Sequence, residues 1–347
     1  MRLSIHAMAR RLIPGLIFGF LVLIVLALLG DLRAVSHSLS QFHWEYFLAA
    51  LGLTLVNYIL RFFKWHYYLG QIGARGLPWQ RSMRMFVAGF PLAVTPGKIG
   101  EALKGIWINR LTGIPTGRGI SVVVAERISD GLAMMILSTL GVIAYPRYWP
   151  AFAMILALLL AVVTLSQVRP AAYFLLGLGE KLPLVNRIAH GLREFYEGSF
   201  ALFRPSTTLL AVTLGTISWV GEGIGFYCIL LGLGLAPSRD LLVSAIFILA
   251  FSTVIGAASA LPGGLGAAEV SIAGMLTLIL GESPALATSA TLLIRLATLW
   301  FGVALGLVTW TFSGDLLGMG TEGPAGAENP AGAEGPTGMD NPGSATR

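Results

Sequence analysis

The sequence predicts an all-α polytopic integral membrane protein built as an inverted repeat, each unit consisting of a span, a re-entrant broken-helix hairpin and a second span. Its 347 residues are 55% hydrophobic and only 12% charged, with a mean hydropathy of +0.77. A soluble domain carries about a quarter charged residues, so that class is excluded. Recurring apolar runs of bilayer length predict about six full spans, and two matching Pro-Gly breaks predict two re-entrant hairpins.

Charge and cysteine usage exclude several other classes. The lone cysteine, Cys228, forms no intrachain disulfide, and the five histidines lack metal-ligand spacing, so no metal or cofactor is expected. The net charge of +6 divides into −4 for residues 313–347 and +10 for the rest. In so apolar a chain this basic excess is interpreted as a positive-inside signal. No basic stretch alternates with aromatic residues, so no nucleic-acid partner is predicted.

The first predicted span is the apolar run 13–30, which makes about 27 Å of helix. Three arginines precede it, as in a signal peptide, but the run is long for one and no clean cleavage site follows. The sequence therefore predicts an uncleaved anchor with a cytoplasmic amino terminus. The second span, 46–63, ends in a basic segment. There Arg61 and Lys64 are interpreted as side chains that snorkel toward water.

The apolar segment 85–95 has only 11 residues and stops at a break, Pro96-Gly97-Lys98-Ile99-Gly100. Glu101 and Lys104 follow this break. A segment so short between basic flanks predicts a re-entrant hairpin.

The remaining spans carry isolated charges. They are predicted at 119–145, 151–168, 207–235 and 285–312, and 169–204 is predicted to be a cytoplasmic amphipathic connection. The charges inside them include Glu126, Arg127, Asp130, Glu222 and Arg295. Charged residues within apolar spans are candidates for function by default.

A second break, Pro262-Gly263-Gly264-Leu265-Gly266, lies 166 residues after the first and shares its Pro-Gly-x-apolar-Gly pattern. The apolar runs 241–260 and 270–280 flank it, and Glu269 follows it closely. Charge counting orients the two repeat units, about 46–145 and 207–312, in opposite directions. Antiparallel repeats with matched broken helices indicate a transporter with a site near the membrane midplane.

Residues 1–312 are thus predicted to form one transmembrane domain in the plasma (inner) membrane of a prokaryote, with both termini cytoplasmic. Residues 313–347 are rich in Gly, Pro, Ala and Glu. Such a segment buries little apolar surface, so it is predicted to be disordered.

Four stretches carry a resemblance to a known family: 95–104, 126–130, 261–269 and Arg295 in the last span. With them the chain resembles the lysylphosphatidylglycerol synthase transmembrane region family, the flippase-like domain at the N-terminus of the bacterial multiple peptide resistance factor. The resemblance covers about residues 10–312. It implies that a lipid with a polar head moves between leaflets, without naming the lipid. Because no soluble aminoacyl transfer domain follows the last span, we expect no synthase activity.

The charged residues of the first unit allow two interpretations each. Lys98 either binds a lipid phosphate beside a helix N-terminus or snorkels to anionic headgroups. Glu101 and Lys104 either contact substrate or form an ion pair three residues apart.

The charges within the spans also need compensation. Glu126, Arg127 and Asp130 either neutralise one another, or Arg127 binds a phosphate while the acids accept a cationic headgroup or close a gate. In the second unit, Glu269 or Glu222 is the expected partner of Arg295.

The leading hypothesis is a lipid transporter or scramblase acting on a membrane phospholipid or lipid-linked substrate. A variant moves an ion or proton, with Glu101, Glu222 and Glu269 as titrating groups. The alternative is a non-transporting accessory protein of a lipid or glycolipid modification pathway, with the tail as docking segment. No catalytic motif is present, so an enzyme is not expected.

Overall fold

The computed structural model describes residues 5–29, 31–95, 100–142, 149–179, 181 and 187–314, and within these ranges the chain is helical without strands. The helices are α1 (Ile5–Leu29), α2 (Leu32–Ser40), α3 (Trp44–Gln71), α4 (Trp79–Ala88), α5 (Leu103–Thr112), α6 (Thr116–Val142), α7 (Trp149–Ser166), α8 (Arg169–Gly179), α9 (Ala189–Leu202), α10 (Pro205–Gly232), α11 (Arg239–Ala258), α12 (Ala267–Leu280), α13 (Pro284–Arg295) and α14 (Phe301–Thr311). The predicted all-α polytopic class is confirmed. The tail from residue 315 onward lies outside the described residues.

Within the described ranges, five segments are long and apolar enough to cross a membrane: Trp44–Gln71, Pro205–Gly232, Arg239–Ala258, Pro262–Leu280 and Pro284–Thr311. Helix α6 is equally long at 27 residues but carries three charges in its middle. Helices α7 and α8 meet at a bend of 87°. The apolar runs on both sides of the second break are 20 and 19 residues long, so by length this pair could cross twice, whereas the sequence predicts a re-entrant hairpin.

The helices are interrupted at two places, the first and second breaks. The second lies at the predicted position, 262–266, whereas residues 96–99 of the first lie outside the described residues. The first contains a 3-10 turn, Phe90–Val94, between the ten-residue helices α4 and α5, which are each too short to cross a bilayer. The second contains a 3-10 turn, Pro262–Gly264, with positive φ at Gly263 (60°), Gly264 (69°) and Gly266 (87°). Glycine adopts these angles without steric cost.

Helix α12 begins at this second break because its first turn is capped. The Glu269 carboxylate accepts a hydrogen bond of 2.7 Å from the Gly266 N–H, which leaves one fewer unpaired donor at the helix start. The helix ends at Gly281, whose φ of 71° is the left-handed conformation common at helix termini.

The two breaks lie against each other. A Cβ built on Gly263 would lie 3.3 Å from Val94 Cγ1 of the first break. Helix α1 crosses both, because Gly15 packs against the Val94 carbonyl and faces Pro262, and Gly19 packs on Leu265. Glycines four residues apart permit this close approach between backbones.

The long spans pack through small residues and through hydrogen bonds from side chains to backbone carbonyls. Helix α3 lies along α10, where Asn57 Nδ2 donates to the Ser218 carbonyl at 3.0 Å. Helix α14 returns to the first hairpin, where Trp310 Nε1 donates to the Ala88 carbonyl at 2.7 Å. The last helix in the described ranges therefore helps to hold α4 in place.

The predicted connection 169–204 contains helices α8 and α9. Helix α9 packs along the start of α6, with Arg118 Nη2 2.7 Å from Glu194 Oε2. Arg169 Nη2 lies 3.2 Å from Glu197 Oε2 and joins α8 to α9. These polar contacts fit the amphipathic character that the sequence predicts.

Candidate functional site

A cavity of about 170 Å³ lies where the two breaks meet the long spans. Both predicted repeat units contribute to its wall, and helices α3 and α10 are among the elements that they provide. The aromatic residues on the wall are Tyr58, Phe90 and Trp219. Its charged residues are Arg61, Glu101, Lys104, Arg127, Glu222 and Arg295.

Behind one side of this cavity, α3 and α6 are joined by buried ion pairs. Arg61 Nη2 lies 2.8 Å from Glu126 Oε1 and 3.4 Å from Asp130 Oδ2. The Lys64 ammonium contacts the Asp130 carboxylate and donates to Ser129 Oγ at 3.2 Å. The Lys64 and Glu126 side chains are both 0% exposed. Each buried charge here has a counter-charge, which buried ions require.

Lys104 extends from the first turn of α5 into the same cluster. Its Nζ lies 3.7 Å from Glu126 Oε2 and 5.1 Å from the centre of the Trp65 ring, with Phe86 on another side at 5.7 Å. Aromatic faces attract a cation at this range. Gly89 leaves room for the Lys104 chain, because a Cβ at that position would overlap Lys104 Cε.

Arg127 links α6 to the helix start that follows the first break. Its Nε lies 3.4 Å from Glu101 Oε2 and its Nη2 lies 3.2 Å from Glu126 Oε1. The Arg127 side chain is 36% exposed, whereas Glu101 is 4% exposed. Arg127 therefore keeps part of its guanidinium open to the cavity.

Arg295 holds the corresponding place in the second unit. Its Nε donates to Glu269 Oε1 at 2.6 Å, and its Nη2 donates to the Gly263 carbonyl at 3.0 Å. Glu269 precedes Arg295 by 26 residues, as Glu101 precedes Arg127. The two units thus repeat one pairing, an arginine within a helix bound to the acid that follows a helix break.

Glu222 differs from the other acids. It lies well inside the 28-residue helix α10 and is 5% exposed. It lines the cavity but makes no ion pair or hydrogen bond within the part of the chain that the structure describes.

A comparison with protein families identifies the chain. The profile of the "Lysylphosphatidylglycerol synthase TM region" family matches residues 15–306. The chain belongs to this family. The match covers both breaks and the whole cavity.

Two curated relatives are archaeal. Both are described as a "UPF0104 membrane protein" of Methanothermobacter thermautotrophicus. One is 26% identical over 258 residues, which is 67% of this chain and 75% of the relative. The other is 26% identical over 241 residues, 62% of this chain and 69% of the relative. The family, these relatives and the apolar helices together establish a multi-pass membrane protein.

The structure places most of the predicted site residues around one cavity. Glu101, Lys104, Arg127, Glu222, Gly263 and Arg295 line it, and Glu126, Asp130 and Glu269 bind these residues from behind or beside them. Gly100 donates its N–H to Thr95 Oγ1 at 2.9 Å in the first break. Pro96, Gly97 and Lys98 lie outside the described residues.

The structure decides two details of the predicted pairing. The Glu101–Lys104 pair, one of the two interpretations of these residues, is not formed, because Lys104 turns to Glu126 and Glu101 to Arg127. Of the two acids expected to compensate Arg295, Glu269 is the one that pairs with it.

The snorkelling interpretation of Arg61 and Lys64 is wrong. The Lys64 side chain is fully buried, and Arg61 is 12% exposed and bound to two acids. The sequence does contain a feature that indicates a buried role for Arg61 and Lys64, namely the spacing of two acids on α6. Glu126 and Asp130 lie four residues apart on one face of α6, and two buried acids on one face need more than one cation.

Proposed function

We propose that the protein moves a lipid with an anionic phosphate headgroup between the leaflets of a membrane, with the headgroup passing through the central cavity. The observation that carries this proposal is the charge of the cavity wall. Arg61, Lys104, Arg127 and Arg295 face it, against the acids Glu101 and Glu222. The other acids bound to these cations, Glu126, Asp130 and Glu269, lie behind or beside the wall, so the surface that a ligand meets carries more cations than acids. Such a surface favours an anionic ligand.

The arginine geometry supports a phosphate in particular. A guanidinium offers five N–H donors in a plane and binds phosphate with two parallel hydrogen bonds. Arg127 and Arg295 each use part of this set on their acid, and each lines the cavity with the remainder. A phosphate between them would contact both predicted repeat units at once.

The size of the cavity sets how much of the lipid enters. A volume of 170 Å³ lies below the usual range of about 300–1000 Å³ for pockets that enclose a whole small-molecule ligand. We therefore assign the cavity to the headgroup and leave the acyl chains in the surrounding bilayer. Large apolar side chains such as Leu48, Phe63 and Leu278 are exposed on the outside of the bundle, where they suit lipid.

Membership of the lysylphosphatidylglycerol synthase TM region family supports a role in lipid chemistry. The proposal assigns no catalytic step to this chain. It includes the predicted placement in the plasma membrane of a prokaryote with both termini cytoplasmic, and the two re-entrant hairpins acting as an inverted pair.

The test is lipid translocation in vesicles containing the purified protein. Fluorescent lipids with anionic, zwitterionic and neutral headgroups are compared by bleaching the outer leaflet with dithionite. Arg127→Ala is expected to slow movement of the anionic lipid by a factor of about 10 to 150, because a contact to a charged group contributes about 1.5–3 kcal/mol. The matched control is Arg75→Ala, at an exposed arginine in the turn after α3.

Two outcomes contradict the proposal. Wild-type vesicles that bleach like protein-free vesicles for every headgroup would favour the accessory role instead. Equal translocation by wild type, Arg127→Ala and Arg75→Ala would remove the cavity from the lipid path.

A further inference from the structure

Glu222 is the acid on the cavity wall that the ion-pair network leaves out. Glu101 pairs with Arg127, and Glu269 pairs with Arg295. Glu222 has neither an ion pair nor a hydrogen bond with any residue in the described ranges, although it is 95% buried. Its carboxylate faces a cavity rather than a protein partner.

The charged groups around Glu222 are already engaged elsewhere. From α3, Tyr58 gives its hydroxyl hydrogen to the Thr298 carbonyl at 2.7 Å, and Arg61 binds Glu126 and Asp130. From α6, Asp130 adds a second negative charge, held by Lys64. From α13, Arg295 binds Glu269 at 2.6 Å.

The fourth helix packed on this side, α11, adds no charge. It presents Leu249 and Thr253 to the cavity. Arg61 and Arg295 therefore act on an ionised Glu222 only from a distance, because each forms its ion pair with another acid. Binding one proton removes a buried negative charge that has no direct counter-charge.

We propose that Glu222 is a proton-binding site that couples headgroup movement to the movement of one proton in the same direction. This inference rests on the proposed function and adds its driving force. With Glu222 protonated, the wall carries four cations and one acid, Glu101, and attracts a phosphate more strongly. With Glu222 ionised, the wall carries two negatively charged acids, Glu101 and Glu222, and both repel the phosphate.

Thermodynamic linkage makes the coupling reciprocal. If a bound proton strengthens phosphate binding, a bound phosphate strengthens proton binding by the same factor. The lipid and the proton then enter together from the acidic side and leave together on the alkaline side. One proton accompanying a singly charged phospholipid carries no net charge across the membrane.

The experiment uses the full chain in vesicles with a trace of fluorescent phosphatidylglycerol as the probe. At equal pH on both sides, wild type is expected to equilibrate the probe between leaflets. A gradient of one pH unit is expected to concentrate the probe about tenfold in the leaflet on the alkaline side, since one unit is a tenfold difference in proton activity. Reversing the gradient reverses the asymmetry, and collapsing it with nigericin abolishes the asymmetry.

The decisive variant is Glu222→Gln, which keeps the size of the side chain and removes the titration. It is expected to lose the response to the gradient, so that its leaflet ratio equals that of protein-free vesicles under the same gradient. The matched control is Glu45→Gln, at an exposed acid in the first turn of α3, which is expected to respond like wild type.

A measurement on the wild-type protein keeps the test independent of how the variant folds. Dicyclohexylcarbodiimide modifies protonated carboxyl groups in apolar surroundings, and mass spectrometry locates the adduct. We expect modification at Glu222 that decreases as the pH is raised, with little at the ion-paired Glu101 and Glu269. Absence of modification at Glu222 over the whole acidic range would overturn the proposal.

The outcomes separate the two proposals. If wild type moves no lipid at equal pH, the proposed function fails. If it moves lipid but the gradient produces no asymmetry, only the proton coupling fails. If Glu222→Gln keeps the gradient response and loses translocation of amine-bearing lipids alone, Glu222 recognises the headgroup and the coupling is again overturned.

Discussion

Arg295 Nε donates a hydrogen bond of 2.6 Å to Glu269 Oε1, across the 26 residues that separate a helix break from the middle of the last span. Arg127 and Glu101 have the same separation in sequence and lie 3.4 Å apart. The Arg295–Glu269 pair is the shorter and more buried of the two, because the Arg295 side chain is 13% exposed and the Arg127 side chain is 36% exposed. The two pairs therefore differ in how readily they exchange a partner for a ligand.

We expect Arg295→Ala to lower the stability of the folded protein by about 3–5 kcal/mol, because it leaves the buried Glu269 without its counter-charge. It also removes the donor to the Gly263 carbonyl within the second break. The measurement is thermal unfolding of the purified protein in detergent, compared with wild type.

The double variant Arg295→Ala with Glu269→Ala tests the cause. It should be more stable than the sum of the two single changes predicts, since neither buried charge remains. Strict additivity would mean that the pair contributes nothing of its own.

We expect Gly89→Ala to disturb the site while leaving the fold intact. The added Cβ overlaps the end of the flexible Lys104 chain, so the ammonium moves away from Glu126 and the Trp65 ring. Translocation of the anionic lipid should fall about tenfold, and the unfolding temperature should change little.

Gly70→Ala, near the end of α3, is the control for Gly89→Ala, because a Cβ there meets nothing within 4 Å. If both variants transport like wild type, the position of the Lys104 ammonium is not important for transport.

We expect Lys64→Met to destabilise the protein by about 3–5 kcal/mol. The change removes a fully buried cation from Asp130, which then keeps only Arg61 at 3.4 Å. Adding Asp130→Asn should recover part of the loss by removing the unpaired charge. Thermal unfolding of the single and double variants measures this, and a double variant less stable than Lys64→Met contradicts the assignment.

We expect Gly264→Ala to destabilise the second break by about 1–2 kcal/mol or more, because φ is 69° there and a side chain is strained in that conformation. The new Cβ would also lie 3.0 Å from the backbone of Gly256. Gly274→Ala, in α12, meets open space and should be neutral or slightly stabilising. Similar unfolding temperatures for the two variants would show that the break tolerates side chains.

Local chemistry explains why much of this fold could be predicted. Proline, closely spaced glycines and a following acid are local signals, and the second break lies where Pro262 predicts it. The charged residues inside the spans could also be selected from the sequence as site candidates, because placing a charge in hydrocarbon costs free energy. The orientation of the repeats stays a prediction.

The ion-pair partners could not be predicted, because they depend on how helices distant in sequence rotate against each other. Spacing alone permits a pair between Lys104 and Glu101, yet Lys104 lies against Glu126 on the next helix. Arg61 and Lys64 look like residues at the end of a span, and only the packing of α3 on α6 turns them inward.

The packing of helix α1 affects which shortened forms of the protein can be expressed. It covers the point where the two breaks touch, with Gly15 against Val94 and Pro262 and Gly19 against Leu265. Interrupted helices leave peptide groups without intrahelical partners, and hydrocarbon offers them no water. Helix α1 therefore separates this junction from lipid, and a shortened expression clone that begins after residue 29 would expose the backbone of the two breaks there to the bilayer.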